Sequence, residues 1–264
     1  MSITEQTLKA LGRSRARMRE LQGIQLSPGA HADAFDALGG SKSAVQDSIS
    51  GKSLLDLLGG PEHGKFLDAF SRADWVTMSG PDQAPIVDAG HCLLETLLPN
   101  SFPRDLRHFF VDLSHPDTRA GTAVLDIIQR LQSHGEVIVG FNPSSLKDTL
   151  ENLGESSDDS VERSLARARS ALGVGACILS SEKNYAAAER AEANYLISRY
   201  EHGDQSSLNE LGTNFGTAYC AAGLLGIEEK HLLPIAVAAV ETQLSTKSYP
   251  SWVEIERHIR QNPS

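Results

Sequence analysis

The sequence predicts an α/β fold of three layers, with helices on both faces of a mostly parallel sheet. Two observations lead there. Four short apolar runs, at 74–80, 108–113, 136–141 and 175–180, are too short for helices and suit strands covered on both faces. The segments between them have helical period, so strand and helix alternate at the pitch of βαβ units. Right-handed crossovers then place helices on both sides of the sheet.

Each element has its own local reason. The first run, Asp74 to Gly80, ends in a glycine turn. The second, His108 to Leu113, is bounded by Pro116, and the third, Glu136 to Phe141, ends at Asn142 and Pro143. The helical segments are 87–98, 122–131 and 160–172; Ser160 follows a polar linker and can start the last of them. The tail reads as three helices, at 216–225, 230–244 and 251–261. Near the N-terminus, Leu8, Leu11, Met18 and Leu21 interleave Lys9, Arg13, Arg15, Arg17 and Arg19, which predicts a basic amphipathic helix. That helix either meets an anionic surface or packs on its own domain with a solvated basic face. One domain is expected over 1–264, with 1–25 as a helical arm. No strand is expected in 1–60.

Composition narrows the function classes. With 40% hydrophobic and 22% charged residues, the chain is neither disordered nor fibrous. Acidic residues outnumber basic ones 34 to 24, a formal charge of −10, and such a surface repels nucleic-acid backbones. No apolar run approaches the roughly 20 residues needed to span a bilayer. Cys92, Cys177 and Cys220 are far apart and form no CxxC pair, so free buried thiols and a reducing, cytoplasmic setting are expected.

Several motifs come close to known chemistry. Gly51-Lys52-Ser53 has Gln46 where a phosphate loop needs its first glycine, and no apolar strand precedes it. His108, Asp112 and His115 lack a cysteine or glutamate partner at ligand spacing, so no metal site is expected. Asp112, Arg119 and Asn142 would share the carboxyl rim of the sheet, where α/β sheets bind ligands; an Asp112–Arg119 pair that only fixes a loop is the alternative. The stretch 211–223 leads from glycine into a helix of small residues. Its first N–H groups could receive an anion, or the small residues could serve close packing.

Four segments, in order, resemble the PfkB or ribokinase-like carbohydrate kinases. They are 70–80, with Ala73-Asp74 before an apolar run; 109–119, a strand ending in Asp112, then Pro116 and Arg119; 137–142, like the strand opening an Asn-x-x-Glu motif; and 212–223, like a Gly-Ala-Gly-Asp helix start. The resemblance covers roughly 50–260. It implies a ribokinase-like fold and ATP- and magnesium-dependent phosphoryl transfer to a sugar or nucleoside hydroxyl. It further implies substrate contacts at Asp112 and Arg119, and nucleotide contacts at Asn142, Ser145, Ser180, Ser181 and Asn214.

The departures from the family pattern are as informative as the matches. Ser145 stands at the Glu position. Glu210 to Thr213 stand for Gly-Ala-Gly-Asp, so Gly212 is kept and Thr213 replaces the base. A hydroxyl without a lowered pKa takes up no proton near pH 7. No β-rich lid is readable before residue 70. Two readings follow. Either a divergent kinase uses another base, such as Asp204 or Glu210, or a non-catalytic homologue acts as a binding or regulatory subunit; the joint loss of both acidic groups favours the second. Without an N-terminal strand, the edge of the strand at Asp74 would stand bare. The N-terminal helix, a second copy or a different protein would then cover it, with a homodimer favoured.

Overall fold

A computed structural model describes residues 3–27, 30–42, 59–61, 63–80, 82–101, 107–115, 118–156, 160–181, 184–189, 193–197 and 206–262. The described elements, labelled in chain order, begin with α1 (Ile3–Met18), β1 (Gln22–Gln25), α2 (His31–Ala37), β2 (Ser41–Lys42) and α3 (His63–Arg72). Next come β3 (Trp75–Ser79), α4 (Gln83–Cys92) with a π-helical extension at Leu93–Leu97, β4 (His108–Leu113), α5 (Thr122–Leu131) and β5 (Glu136–Phe141). The chain continues with α6 (Pro143–Asn152), α7 (Val161–Leu172), β6 (Ala176–Ser180), β7 (Asn184–Glu189) and β8 (Ala193–Ile197). It ends with α8 (Ser206–Leu224), α9 (Glu229–Thr246) and α10 (Trp252–Gln261).

The strands form one sheet in the order β2-β1-β3-β4-β5-β6-β7-β8. From β2 to β6 every pair is parallel, and β7 and β8 add an antiparallel hairpin. The four expected strands are β3 to β6, side by side and parallel. Their side chains alternate between two cores, as period 2 requires. Val76, Met78, Val111, Val139, Cys177 and Leu179 pack under α3 to α7. Trp75, Phe110, Ile138 and Ile178 pack under α8, α9 and α10.

Helix ends follow the residues that can cap them. Asp82 accepts from Ala84 N–H and starts α4 earlier than the periodicity indicates. Ser160 caps α7 as expected, and Gly173, at φ 73°, ends it in the left-handed region. Ser251 and Glu254 form a capping box at α10. Helix α6 is not among the expected elements; only Leu146 and Leu150 mark its buried side with large apolar residues.

The N-terminal region corrects one expectation. β1 pairs in parallel with β3 and β2 pairs with β1, so the β3 edge is covered from within the chain. The argument for a partner or homodimer at that edge therefore falls. The expected helix exists as α1, but it packs on α9 and α10 rather than over the edge. Leu11 and Met18 are buried, Thr7 Oγ1 lies 2.8 Å from His231 Nδ1, and Arg17 donates to Leu225 O at 3.0 Å. Packing on its own core, with its basic side to solvent, is the outcome of the two weighed for this helix. Among the described residues, every strand belongs to the one sheet and none forms a separate lid. No described helix is long and apolar enough to cross a membrane. All three cysteines are free and buried, and burial pushes each thiol up, Cys92 to about 12.

Candidate functional site

Asp112, Asn142 and Ser180 lie where the parallel strands end. On β4, Asp112 is buried and its Oδ2 lies 2.7 Å from His31 Nε2 at the head of α2. Asp112 Oδ1 accepts from Ser114 N–H at 2.9 Å. Burial pushes the Asp112 carboxyl up, but the His31 and Ser114 hydrogen bonds and the His31 charge outweigh it, and the net direction is downward. His31 Nδ1 lies 2.9 Å from Thr217 Oγ1 on α8. The His31 ring stands edge-on to Trp75 and Phe110, at 6.1 and 5.2 Å. A single imidazole thus ties α2, β4 and α8 together, and its apolar collar keeps water from competing for those bonds.

Gln25 and Ser27, which precede α2 in the chain, are held as firmly. Ser27 Oγ accepts from Ser79 N–H at 2.6 Å. Gln25 donates to Ser27 O at 2.7 Å and accepts from Ala32 N–H at 3.1 Å.

Beside Asp112, the end of β5 is closed by Asn142. Its Nδ2 donates to Ser114 O and His115 O at 3.2 and 2.7 Å, and its Oδ1 accepts from Ser145 N–H at 2.8 Å. Ser145 Oγ in return accepts from Asn142 N–H at 3.0 Å, a complete capping box on α6. Ser145 has 0% exposure. Both side chains are thus committed to the backbone of the β4–α5 loop and the start of α6.

The third contribution comes from α8. A methyl group in place of the Gly212 hydrogen would lie 3.1 Å from Ser180 Oγ and 3.3 Å from Ser114 Oγ. Asp112, Asn142 and Gly212 therefore converge at one edge with Ser180, and Ser181 follows half-buried. Gly212 does not open the helix, however. α8 begins at Ser206, so Gly212 lies past the first turn and its N–H belongs to the helical ladder. The expected anion-receiving helix start at 211–223 is corrected accordingly.

Other expected site residues lie elsewhere. Arg119 pairs with Asp148 at 3.5 Å and is 60% exposed, so the considered Asp112–Arg119 pair is not formed. Asn214, at 0% exposure, donates to Ala239 O at 3.0 Å and faces α9 rather than the sheet edge. Thr213 is half-buried and Glu210 exposed. Asp204 lies outside the described residues. Tyr249 is pushed up to about 12, by burial first and then by the charges of Glu210 and Asp33. His31, Ser114, Thr217 and Tyr249 were not foreseen; only the small-residue stretch 211–223 hinted at Thr217.

For the magnesium nucleotide that the resemblance to ribokinase-like kinases implies, the described residues supply no cluster of carboxylates at this edge. Among the described residues no group of three or more His, Cys, Asp or Glu could hold a metal ion. Ser145 brings no carboxylate, and Asp112 is engaged by His31 and Ser114.

No family model and no curated protein matches the chain. Solved structures do match. A hydroxyethylthiazole kinase from Pyrococcus horikoshii superposes with TM-score 0.60 at 12% identity, over 98% of this chain and 94% of that one. A Bacillus subtilis pyridoxal kinase in an ADP complex gives 0.53 at 13% identity, over 84% and 91%. An Arabidopsis thaliana ribokinase with ribose and ATP gives 0.52 at 15% identity, covering 74% of this chain and 59% of that chain. At such identities the likeness is one of fold, and with its parallel sheet and flanking helices the chain has the ribokinase-like α/β fold of these kinases.

Proposed function

We propose that this protein is a non-catalytic relative of the ribokinase-fold kinases and acts by binding, as a regulatory or ligand-holding subunit. The observation that carries this reading is the environment of Gly212. The position that would start an anion-binding helix lies in the interior of α8, with Ser114 and Ser180 against it. Thr213 follows where a carboxylate base would be needed. Ser145, at the other motif, is a buried capping residue. Phosphoryl transfer depends on positioning, metal and electrostatic stabilisation, and a base contributes about 10²- to 10⁴-fold on its own. The ligand would be a small polar molecule at the carboxyl edge, of the kind that the matched kinases name: a sugar, pyridoxal or a hydroxyethyl heterocycle.

The test is direct. Purified protein is titrated calorimetrically with ATP and magnesium, and ADP release is followed with sugars, nucleosides, pyridoxal and hydroxyethylthiazole as acceptors. The expected result is no turnover, with Thr213→Asp also inactive. Robust turnover by the unmodified protein would overturn the reading. Its loss in Asp204→Asn or Glu210→Gln would then name the replacement base.

A further inference from the structure

We infer that the solvent side of α1 is a docking face for an acidic segment of a partner protein. Helix α1 buries Thr7, Leu11, Ser14 and Met18 on its own core and leaves Lys9, Arg13, Arg15, Arg17 and Arg19 exposed. Residues 6–19 hold these five of the chain's 24 cations and no Asp or Glu. Arg17 is tied to Leu225 O. Among the described residues, the other four form no ion pair.

The spacing of these charges works against the helix that carries them. Lys9 and Arg13, Arg13 and Arg17, and Arg15 and Arg19 all stand at i,i+4, where like charges are destabilising. Other helices of the chain do the opposite. At the same spacing α3 pairs Asp68 with Arg72, α5 Asp126 with Arg130, α6 Lys147 with Glu151 and α10 Glu256 with Arg260. The helix dipole accounts for Arg15 and Arg17 in the last turn, but not for Lys9 and Arg13 before it. A face that destabilises the free helix becomes stabilising once an anionic partner lies on it.

Charge complementarity calls for an anion, and the extent of the face selects its kind. α1 has 16 residues, about 24 Å of helix, on a chain of formal charge −10. A long phosphate backbone would run off the helix onto a net-acidic surface. A bilayer would need the apolar side of α1, and Leu11 and Met18 are buried in the protein core. An acidic protein segment can end where the cations end. Arginine, four of the five cations, grips carboxylates with two parallel N–H groups.

Fluorescence anisotropy of the full chain with a labelled Glu-rich peptide the length of α1 should show binding at low salt that weakens as salt is raised. Arg13→Glu combined with Arg15→Glu is expected to bind the peptide about tenfold more weakly. The same variant should melt at or above the wild-type temperature, because the new carboxylates gain Lys9, Arg17 and Arg19 at i,i+4. A single-stranded oligonucleotide of equal charge and phosphatidylserine vesicles should both bind more weakly than the peptide. No peptide binding at low salt, equal binding by the variant, or tighter binding of the oligonucleotide or the vesicles would overturn the proposal. So would a lowered melting temperature in the variant, which would mean that the cations serve the fold itself.

Discussion

His31 Nε2 and Asp112 Oδ2 lie 2.7 Å apart although 81 residues separate them, and both side chains are buried. Removing one partner leaves a buried ring nitrogen of His31 or a buried oxygen of Asp112 without its hydrogen bond, while Thr217 and Ser114 keep theirs. His31→Ala is therefore expected to destabilise the protein by about 3–5 kcal/mol. Urea melts of His31→Ala, Asp112→Asn and the double variant should show strong non-additivity. Additive losses would mean that the pair carries no coupling.

The same carboxylate sets an acid limit. The folded state holds Asp112 below its ordinary value of 3.8, so the unfolded chain binds the proton more readily. The stabilisation is full above the unfolded value and is lost as pH falls through the lower folded one. Asp112→Asn should flatten the acid limb of the stability profile. A limb unchanged in that variant would assign it to other carboxylates.

His108 acts in a milder range, at the amino end of the sheet. Burial pushes it below 6.5, against the opposing charges of Glu136 and Asp74. The 3.5 Å approach of Glu136 Oε2 would favour the imidazolium, but Glu136 is 44% exposed and screened, so burial wins. The unfolded state then takes the proton first, so stability contributed by neutral His108 is full above 6.5 and is lost as pH falls from there through the lower folded value. An NMR titration should place its midpoint below 6.5, and a midpoint above that would reverse the sign.

Asn142 and Ser145 test whether a catalytic motif has become structural. Loss of an N-cap costs about 1–2 kcal/mol, and Asn142→Ala also strands the carbonyls of Ser114 and His115. Ser145→Glu should lower the melting temperature, because the position has 0% exposure, and should confer no ATP turnover. A stable, ATP-hydrolysing Ser145→Glu variant would show that the motif is still functional.

Gly216 is a steric contact between α8 and β4. An added methyl group would lie 2.5 Å from Phe110 Cζ. Alanine improves helix propensity by about 1 kcal/mol, whereas overpacking a rigid ring costs about 1–3 kcal/mol. Gly216→Ala is expected to be net destabilising in thermal melts, and a raised melting temperature would show that Phe110 can yield.

The strands that cross the middle of the molecule could be read from sequence because the tertiary structure covers them on both faces. Val137, Ile138 and Val139 must all be apolar when helices lie above and below them. β1, with the sequence Gln-Gly-Ile-Gln, has no such run, and only its pairing with β3 makes it a strand. β7 and β8 likewise depend on their partners, since alanine-rich 184–189 carries no strand period of its own. At the site, Asp112 and Asn142 were legible because strand ends announce themselves locally, whereas Gly212 was singled out by the family resemblance and lies inside α8. His31 was not, because a histidine at a helix start has no local signature of burial. Its role exists only once the fold brings α2 and α8 over the same strand end, where Asp112 and Thr217 meet its two ring nitrogens.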